Sequence, residues 1–197
     1  HLLHAALKQV LGNHVQQKGS LVGPSKLRFD FSHKKAVTYE ELIQIENIVN
    51  EKIATNANTQ TEIMNLDDAI ALGAEAMFDE KYENEVRVLS MADNFSVELC
   101  GGTHVQKLGE IETLIITSES SVSSGVRRIE ALVGKPASDL IKHSLENLNE
   151  LKEKLKVSED QLSSRIDVLL RENKDLKKGK QSQTNLKPKP NKKNIVQ

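Results

Sequence analysis

The residues best suited to chemistry in this chain are Cys100 and His104, separated by Gly101-Gly102-Thr103. A thiolate and an imidazole are both good zinc ligands, and a spacing of four residues lets one ion contact both. The two glycines argue against a helix interior, so we expect Cys100 at the end of a strand and His104 just after a tight turn. On spacing alone, His1 and His4, on one helix face, are the candidates for further ligands. Spacing also leaves open that the cysteine is simply buried and the histidines have no metal role.

Composition and charge narrow the classes of protein that this chain can be. Its 197 residues suffice for one buried domain with an appendage, and only 3% of them are aromatic. Cys100 is the single cysteine, which excludes an intrachain disulfide, and no apolar run is long enough to span a bilayer. We therefore expect a cytoplasmic protein without a membrane partner. Because the chain begins at His1, without an initiator methionine, we also expect a fragment of a longer protein.

The apolar periodicity predicts helices followed by strands in the first two thirds of the chain. Thr38 and Glu41 form a capping-box pattern ahead of a helix whose apolar face includes Ile45 and Val49. Further helices are predicted over residues 1–15 and 65–77. Strands are predicted over residues 27–31, 86–89, 97–100, 111–117 and 126–133. This order indicates an α+β domain with a mixed or antiparallel sheet packed against helices, spanning residues 1–135.

The last third of the chain has a different pattern. Between Pro136 and Gly179 there is neither glycine nor proline, and leucine or isoleucine recurs every seven residues from Ile141 to Leu176. The pattern predicts one long, coiled-coil-like helix over residues 136–178. Only one of its five companion heptad positions is apolar, which favours docking on a body or a weak coil. The lysine-rich segment 179–197 is predicted to be a disordered tail, either a solvated spacer or a transient contact for phosphates.

Five blocks within the first 134 residues resemble bacterial alanyl-tRNA synthetases, in the same order. They read HLLHAALKQVLGNHVQQKGSLV, LRFDFSH, EKYENEVRVLSM, ELCGGTHV and GVRRIEALVG. Several long motifs in order are far more specific than a short metal-binding pattern. The resemblance implies the fold of the second additional domain of threonyl- and alanyl-tRNA synthetases, followed by the start of a C-terminal helical linker.

The resemblance also implies one bound Zn²⁺. In the family an HxxxH motif and a CxxxH motif hold the ion. Cys100 and His104 match the second motif, and His1 matches the second histidine of the first. The fourth ligand would lie four residues before His1, and His4 falls at a non-ligand position, which replaces the choice made from spacing. With three ligands, the chain by itself is expected to bind zinc weakly.

The expected activity of such a domain follows from a limit on selectivity. A pocket sized for alanine cannot strongly reject glycine or serine, so a second, hydrolytic site is the usual remedy. The resemblance implies that this segment of an alanine–tRNA ligase hydrolyses serine and glycine esters of tRNA(Ala), with the acceptor end of that tRNA as partner. Zinc would either lower the pKa of an attacking water or hold the amino group of the substrate. The catalytic group itself stays unassigned.

Four further residues have candidate roles. Gln17 matches a family position bordering the editing pocket. Glu98, two residues before Cys100, is a second candidate for this substrate pocket, as an acid that supports the zinc ligands; the alternative is an outward strand residue. Arg127 or Arg128 suits contact with acceptor-end phosphates, but neighbouring strand residues face opposite ways, so at most one of them can serve a given site. The other is expected to form a structural ion pair.

Two alternatives remain open at this level. One is a freestanding editing deacylase, although such proteins tend to lack a long following helix. The other is a non-catalytic fragment that binds tRNA or mediates oligomer contacts. In a synthetase the helix would lead toward a C-terminal region through which the parent protein can form a homo-oligomer. The ATP-dependent ligase site is expected outside these 197 residues.

Overall fold

Two antiparallel β-sheets carry the candidate residues. The computed structural model describes residues 1–76 and 83–184, with backbone only for 179–184. The strands of the larger sheet are β1 (Gln17–Val22), β2 (Leu27–Ser32), β6 (Leu114–Ser123) and β7 (Val126–Val133). Those of the smaller sheet are β3 (Gln60–Asn65), β4 (Glu85–Met91) and β5 (Ser96–Leu99). The larger sheet has the order β1-β2-β7-β6 and the smaller has the order β3-β4-β5.

Three helices accompany the sheets: α1 (Leu2–Leu11), α2 (Tyr39–Ala54) and α3 (Leu66–Ala71). The predicted capping box of α2 is confirmed, since the Glu41 amide donates to Thr38 Oγ1 and the Thr38 amide donates to the Glu41 carboxylate. Helix α1 ends earlier than predicted because Gly12 has a φ of 112°, a conformation that interrupts the helix. Helix α3 also ends early, before Gly73 with its φ of 81°.

The main core connects α1 and α2 to the larger sheet. Its fully buried members include Leu7, Ile45, Phe31 and Ile129, from α1, α2, β2 and β7 respectively. A smaller apolar cluster lies between α3 and the second sheet and contains Ala69, Val86, Val88 and Leu99. Because the apolar face of α1 is buried in the main core, the residue at its N-terminus is held close to the end of β5.

The predicted α+β class is confirmed, but two strands escaped the sequence pattern. Strands β1 and β3 lie at sheet edges, and most of their residues are exposed, so they lack the apolar alternation that marks a half-buried strand. The strand predicted to begin at residue 111 begins at Leu114 instead. The preceding Leu108–Ile111 form a 3₁₀ turn.

The helical region predicted over residues 136–178 is present as two consecutive helices, α4 (Lys135–Leu155) and α5 (Leu162–Thr184). Lys156 adopts a positive φ of 51°, and Ser158 precedes a 3₁₀ turn over Glu159–Gln161. Serine followed by two acidic residues favours a helix start over a helix interior, which explains the interruption. Helix α5 continues through residues 179–184, the first part of the predicted tail. The remainder of that tail, residues 185–197, lies outside the described residues.

The chain divides into two compact units, His1–Ile141 and Lys142–Gln197. The first unit contains both sheets and both apolar clusters. In the second, most described side chains are exposed, among them Leu145, Leu151 and Leu170. None of the helices in the described part of the chain combines the length and hydropathy that a bilayer crossing requires.

Candidate metal centre and adjoining clefts

Three potential metal ligands converge at the end of β5. His1 precedes the first turn of α1, Cys100 directly follows β5, and His104 lies in the loop beyond. One ligand atom from each of the three residues lies within 4.8 Å of the other two. The chain turns after Cys100, as its two glycines led us to expect. This turn brings the side chains of Cys100 and His104 close together. The fold also places His1, about a hundred residues earlier in the sequence, beside these two side chains.

The distances between these atoms suit one small cation. His1 Nε2 lies 3.1 Å from His104 Nε2, and Cys100 Sγ lies 3.4 Å from the same His104 nitrogen. Around a tetrahedral zinc ion, with Zn–N of about 2.0–2.1 Å and Zn–S of about 2.3 Å, neighbouring ligand atoms are roughly 3.3–3.6 Å apart. Two imidazoles and a thiolate are also a donor set that zinc accepts readily. The geometry is thus compatible with a metal site.

Glu98 supports this cluster from β5. Its Oε2 lies 2.5 Å from His1 Nδ1, and its Oε1 lies 3.0 Å from His4 Nδ1. Burial acts to raise the pKa of Glu98, but hydrogen bonds from the two histidines outweigh it and hold the pKa at about 2. An ionised carboxylate only accepts hydrogen bonds, so each Nδ1 carries the proton. The lone pair of neutral His1 is consequently on Nε2, facing Cys100 and His104.

His104 is also in a state suited to metal binding. Burial lowers the pKa of its imidazole, and the nearby His1 and the positive charge of Arg87 lower it further, against an opposing effect of Glu98. The neutral imidazole is therefore favoured, and only the neutral form can be a ligand. Its Nδ1 is buried without a hydrogen-bond partner among the described residues.

Arg87, on β4, holds the turn that contains the cysteine. Its Nη1 donates to the carbonyl oxygens of Cys100 at 2.8 Å and of Gly102 at 2.6 Å. In addition, the Cys100 amide donates to the Arg87 carbonyl at 3.1 Å. A Cβ at Gly102 would lie 3.5 Å from Cys100 Sγ and 3.7 Å from His104 Nε2. Glycine therefore leaves space beside the ligand atoms while the arginine immobilises the turn.

Glu98, which contacts His1, also lines a cleft together with Gln17, and we call it the Gln17 cleft. Gln17 begins β1 and donates from Nε2 to Ser20 Oγ at 3.0 Å. His4 and Lys8, one helical turn apart on α1, line the same cleft. The two residues that the sequence assigned to a substrate pocket are thus brought to one cavity.

His4 is not one of the converging ligands. It is 5% exposed, and its Nε2 lies 3.7 Å from Glu75 Oε2, beyond hydrogen-bond distance. Glu75 in turn forms an ion pair with Lys8. The structure thus separates the two histidines of the first turn: His1 faces Cys100, whereas His4 is held between two carboxylates.

Both arginines proposed for tRNA contact form ion pairs within the larger sheet. Arg127 donates to Glu119 on β6, from Nε at 2.5 Å and from Nη2 at 2.6 Å. Arg128 donates in the same two-pronged way to Asp30 on β2, at 2.7 Å for each contact. Consecutive residues of a strand face opposite sides of the sheet, so the two ion pairs lie on opposite faces. A phosphate would have to displace a carboxylate at either position, so contact with tRNA stays a prediction.

Three residues of this region were not predicted from the sequence: Lys8, Glu75 and Arg87. Lys8 follows His4 by four residues on α1, so helical spacing was a signal that could have placed the two side chains together. Glu75 and Arg87 had no such signal. Their roles depend on contacts with residues distant in sequence or on a neighbouring strand.

The chain is similar in sequence to known proteins. Residues 86–130 match the family described as the threonyl and alanyl tRNA synthetase second additional domain. The chain is 53% identical over 178 residues to an alanine–tRNA ligase from Saccharophagus degradans, a match covering 90% of this chain and 20% of that protein. It is 49% identical to one from Parvibaculum lavamentivorans, covering 90% of this chain and 21% of that protein. It is 48% identical to one from Rickettsia akari, covering 90% and 20%.

The chain thus spans about a fifth of the length of the curated relatives it matches. The match to the second additional domain contains Arg87, Glu98, Cys100 and His104, as well as both arginines of β7. Sequence similarity over nine tenths of the chain extends well beyond this domain. Taken together, these similarities show that the chain belongs to the alanyl-tRNA synthetase family and carries its second additional domain.

Proposed function

We propose that residues 1–135 are the tRNA-editing domain of an alanine–tRNA ligase and hydrolyse serine and glycine esters of tRNA(Ala) in the cytoplasm. The observation that carries this proposal is the convergence of His1, Cys100 and His104, together with Glu98, which contacts His1 and also lines the Gln17 cleft. A cavity with a few polar groups next to a metal centre is suited to holding a small polar ester. The acceptor end of the tRNA would present that ester.

The residues of the chain divide the work of such a site. His1, Cys100 and His104 would hold Zn²⁺, which supplies Lewis acidity toward the ester or a point of attachment that orients it. Glu98 accepts from Nδ1 of His1 and so leaves its Nε2 directed at the cluster, and Arg87 keeps the cysteine turn in place. The Gln17 side chain offers a carbonyl oxygen and an amide for a hydroxyl or amino group of the substrate.

The need for this activity lies in the selectivity of the parent enzyme. An alanine pocket discriminates by only one methyl group against glycine and rejects an added hydroxyl poorly. Hydrolysis at a separate site removes the resulting errors. A separate site also requires that damage to editing leaves the synthesis of aminoacyl-tRNA intact.

Replacement of Cys100 by alanine in the full-length protein tests the proposal. Loss of a direct metal ligand should reduce hydrolysis of Ser-tRNA(Ala) by at least about 100-fold, more than the loss of a residue that only supports a ligand. Aminoacylation with alanine should be nearly unchanged. Release of serine and formation of Ala-tRNA would be measured side by side, with zinc content determined on both proteins.

The exposed His143 of α4 provides a matched control, because H143A removes an imidazole far from the cluster in sequence. H143A should retain both activities. Equal loss of both activities in C100A, or a zinc-loaded protein that leaves the ester intact, would contradict the proposal.

The relatives favour a synthetase over a freestanding deacylase. The similarity to alanine–tRNA ligases covers 90% of this chain, so it continues beyond the editing domain into the helical region. A freestanding deacylase would have no need of these helices. Sequencing of the gene upstream of the codon for His1 would reveal the aminoacylation domain that the synthetase assignment requires.

A further inference from the structure

Arg87 lines a second cleft, to which the proposed editing function assigns no role. This cleft, here called the Arg87 cleft, has a volume of about 610 Å³, within the range of small-ligand sites. His104 also lines it, so it adjoins the metal-ligand cluster. Its remaining polar lining consists of neutral amides and hydroxyls: Asn58, Thr59, Gln60, Thr61 and Gln106.

Within the part of the chain that the structure describes, Arg87 has no carboxylate partner. The side-chain hydrogen bonds of Arg87 in this part go to two carbonyl oxygens, and Nη1 donates both. A guanidinium has five N–H groups, so its other nitrogens retain donors for a ligand. By contrast, the guanidinium groups of Arg127 and Arg128 are each engaged by a carboxylate.

Such an arginine is suited to an anion. The residue is half-buried and its Nη1 is held by the two carbonyls of the turn, so little conformational entropy remains to be lost on binding. The whole chain has a formal charge of −1, which provides no general attraction for a polyanion. Arg87 is instead a local, preorganised cation beside the metal-ligand cluster, in a position suited to contact a phosphate.

We propose that Arg87 binds a backbone phosphate of the single-stranded 3′ end of the tRNA in the Arg87 cleft. The amides and hydroxyls of the cleft would contact sugar and base edges next to that phosphate. The inference rests on the proposed editing function for the identity of the ligand. It assigns the tRNA contact to β4 instead of the arginines of β7.

The test compares R87Q and R87K with the wild type in the full-length protein. For R87Q we expect the KM for hydrolysis of Ser-tRNA(Ala) to rise roughly 10- to 100-fold, the worth of a hydrogen bond to a charged group. Binding of uncharged tRNA(Ala), measured over a range of KCl concentrations, should show a salt slope smaller by about one. R87K keeps the charge and should keep the wild-type slope.

Two controls separate phosphate binding from support of the turn. Zinc content should be the same in R87Q and wild type if the turn survives, and R171Q should leave the salt slope unchanged, because Arg171 lies on the exposed surface of α5. An R87Q protein with the wild-type salt slope would overturn the inference, whether or not zinc is lost. A wild-type protein that binds tRNA without hydrolysing the ester would refute the editing function alone, since the salt slope is measured on uncharged tRNA.

Discussion

At the residue scale, one carboxylate determines the state of two histidines. Glu98 accepts a hydrogen bond from Nδ1 of His1 and another from Nδ1 of His4. In the neutral form of either imidazole the lone pair is therefore on Nε2, but only the Nε2 of His1 faces Cys100 and His104. A carboxylate behind a ligating histidine fixes the ring and raises its basicity. Glu98 thus has a structural reason to be buried although it carries a charge.

Replacement of Glu98 by glutamine should weaken zinc binding by roughly 10- to 100-fold, the usual effect of losing such a partner. The amide has one acceptor oxygen and cannot accept from both imidazoles as the carboxylate does. Competition with a chelator would measure the affinity. The matched control is E62Q, which replaces an exposed glutamate of β3 and should bind zinc as the wild type does. Unchanged affinity in E98Q would show that the contact with His1 has no effect on the metal.

At the scale of elements, α2 completes an edge of the larger sheet. Strand β6 is the last strand in that sheet, so part of its backbone has no neighbouring strand. Asn50 of α2 accepts from the Leu114 amide and donates to the Leu114 carbonyl, each at 2.8 Å. Glu46, one turn earlier, accepts from the Ile116 amide at 2.6 Å. Helix side chains therefore take the place of a strand partner.

The Asn50 contacts can be tested by N50A. The substitution leaves both backbone groups of Leu114 without their partner, which should cost about 1–3 kcal/mol of unfolding free energy. Urea unfolding followed by circular dichroism would measure the change. N149A, an exposed position on α4, should lie within about 0.5 kcal/mol of the wild type. If N50A matches N149A, the contacts of Asn50 with Leu114 do not stabilise the edge of the sheet.

At the scale of the whole molecule, the first unit holds the elements that a stable domain needs. It contains both sheets, both apolar clusters and the three converging ligands. Ala137, in the first turn of α4, is fully buried, so the unit extends past the end of β7. The predicted boundary near residue 135 falls where α4 begins.

A chain ending at Ile141 is expected to unfold at the same urea concentration as the 197-residue chain, because it retains the buried Ala137. A chain ending at Val133 lacks that side chain and should unfold at lower urea. The midpoints of all three chains would be measured by far-ultraviolet circular dichroism and by the fluorescence of an external dye. A 1–141 chain as unstable as the 1–133 chain would mean that residues of the second unit contribute to the stability of the first.

Local chemistry in the sequence was sufficient for several of these features. The capping box of Thr38 and Glu41, the strand over residues 27–31 and the turn after Cys100 each depend on neighbours within a few residues. Local patterns failed where an element lies at an edge, as for β1 and β3, because exposed strands need no apolar alternation.

The sequence by itself determined the α+β class, the Cys100–His104 pair and the family resemblance. Spacing alone could not choose between His1 and His4, and the family resemblance favoured His1. The tertiary structure gives the physical reason, since the two histidines have different partners across the fold and His1 faces the pair. The contact of the Arg87 guanidinium with the cysteine turn is likewise a feature of the tertiary structure, because it joins a strand to a separate loop. Spacing constrains only residues that are close in sequence, whereas packing of α1 against the sheets brings residues about a hundred positions apart to the same point.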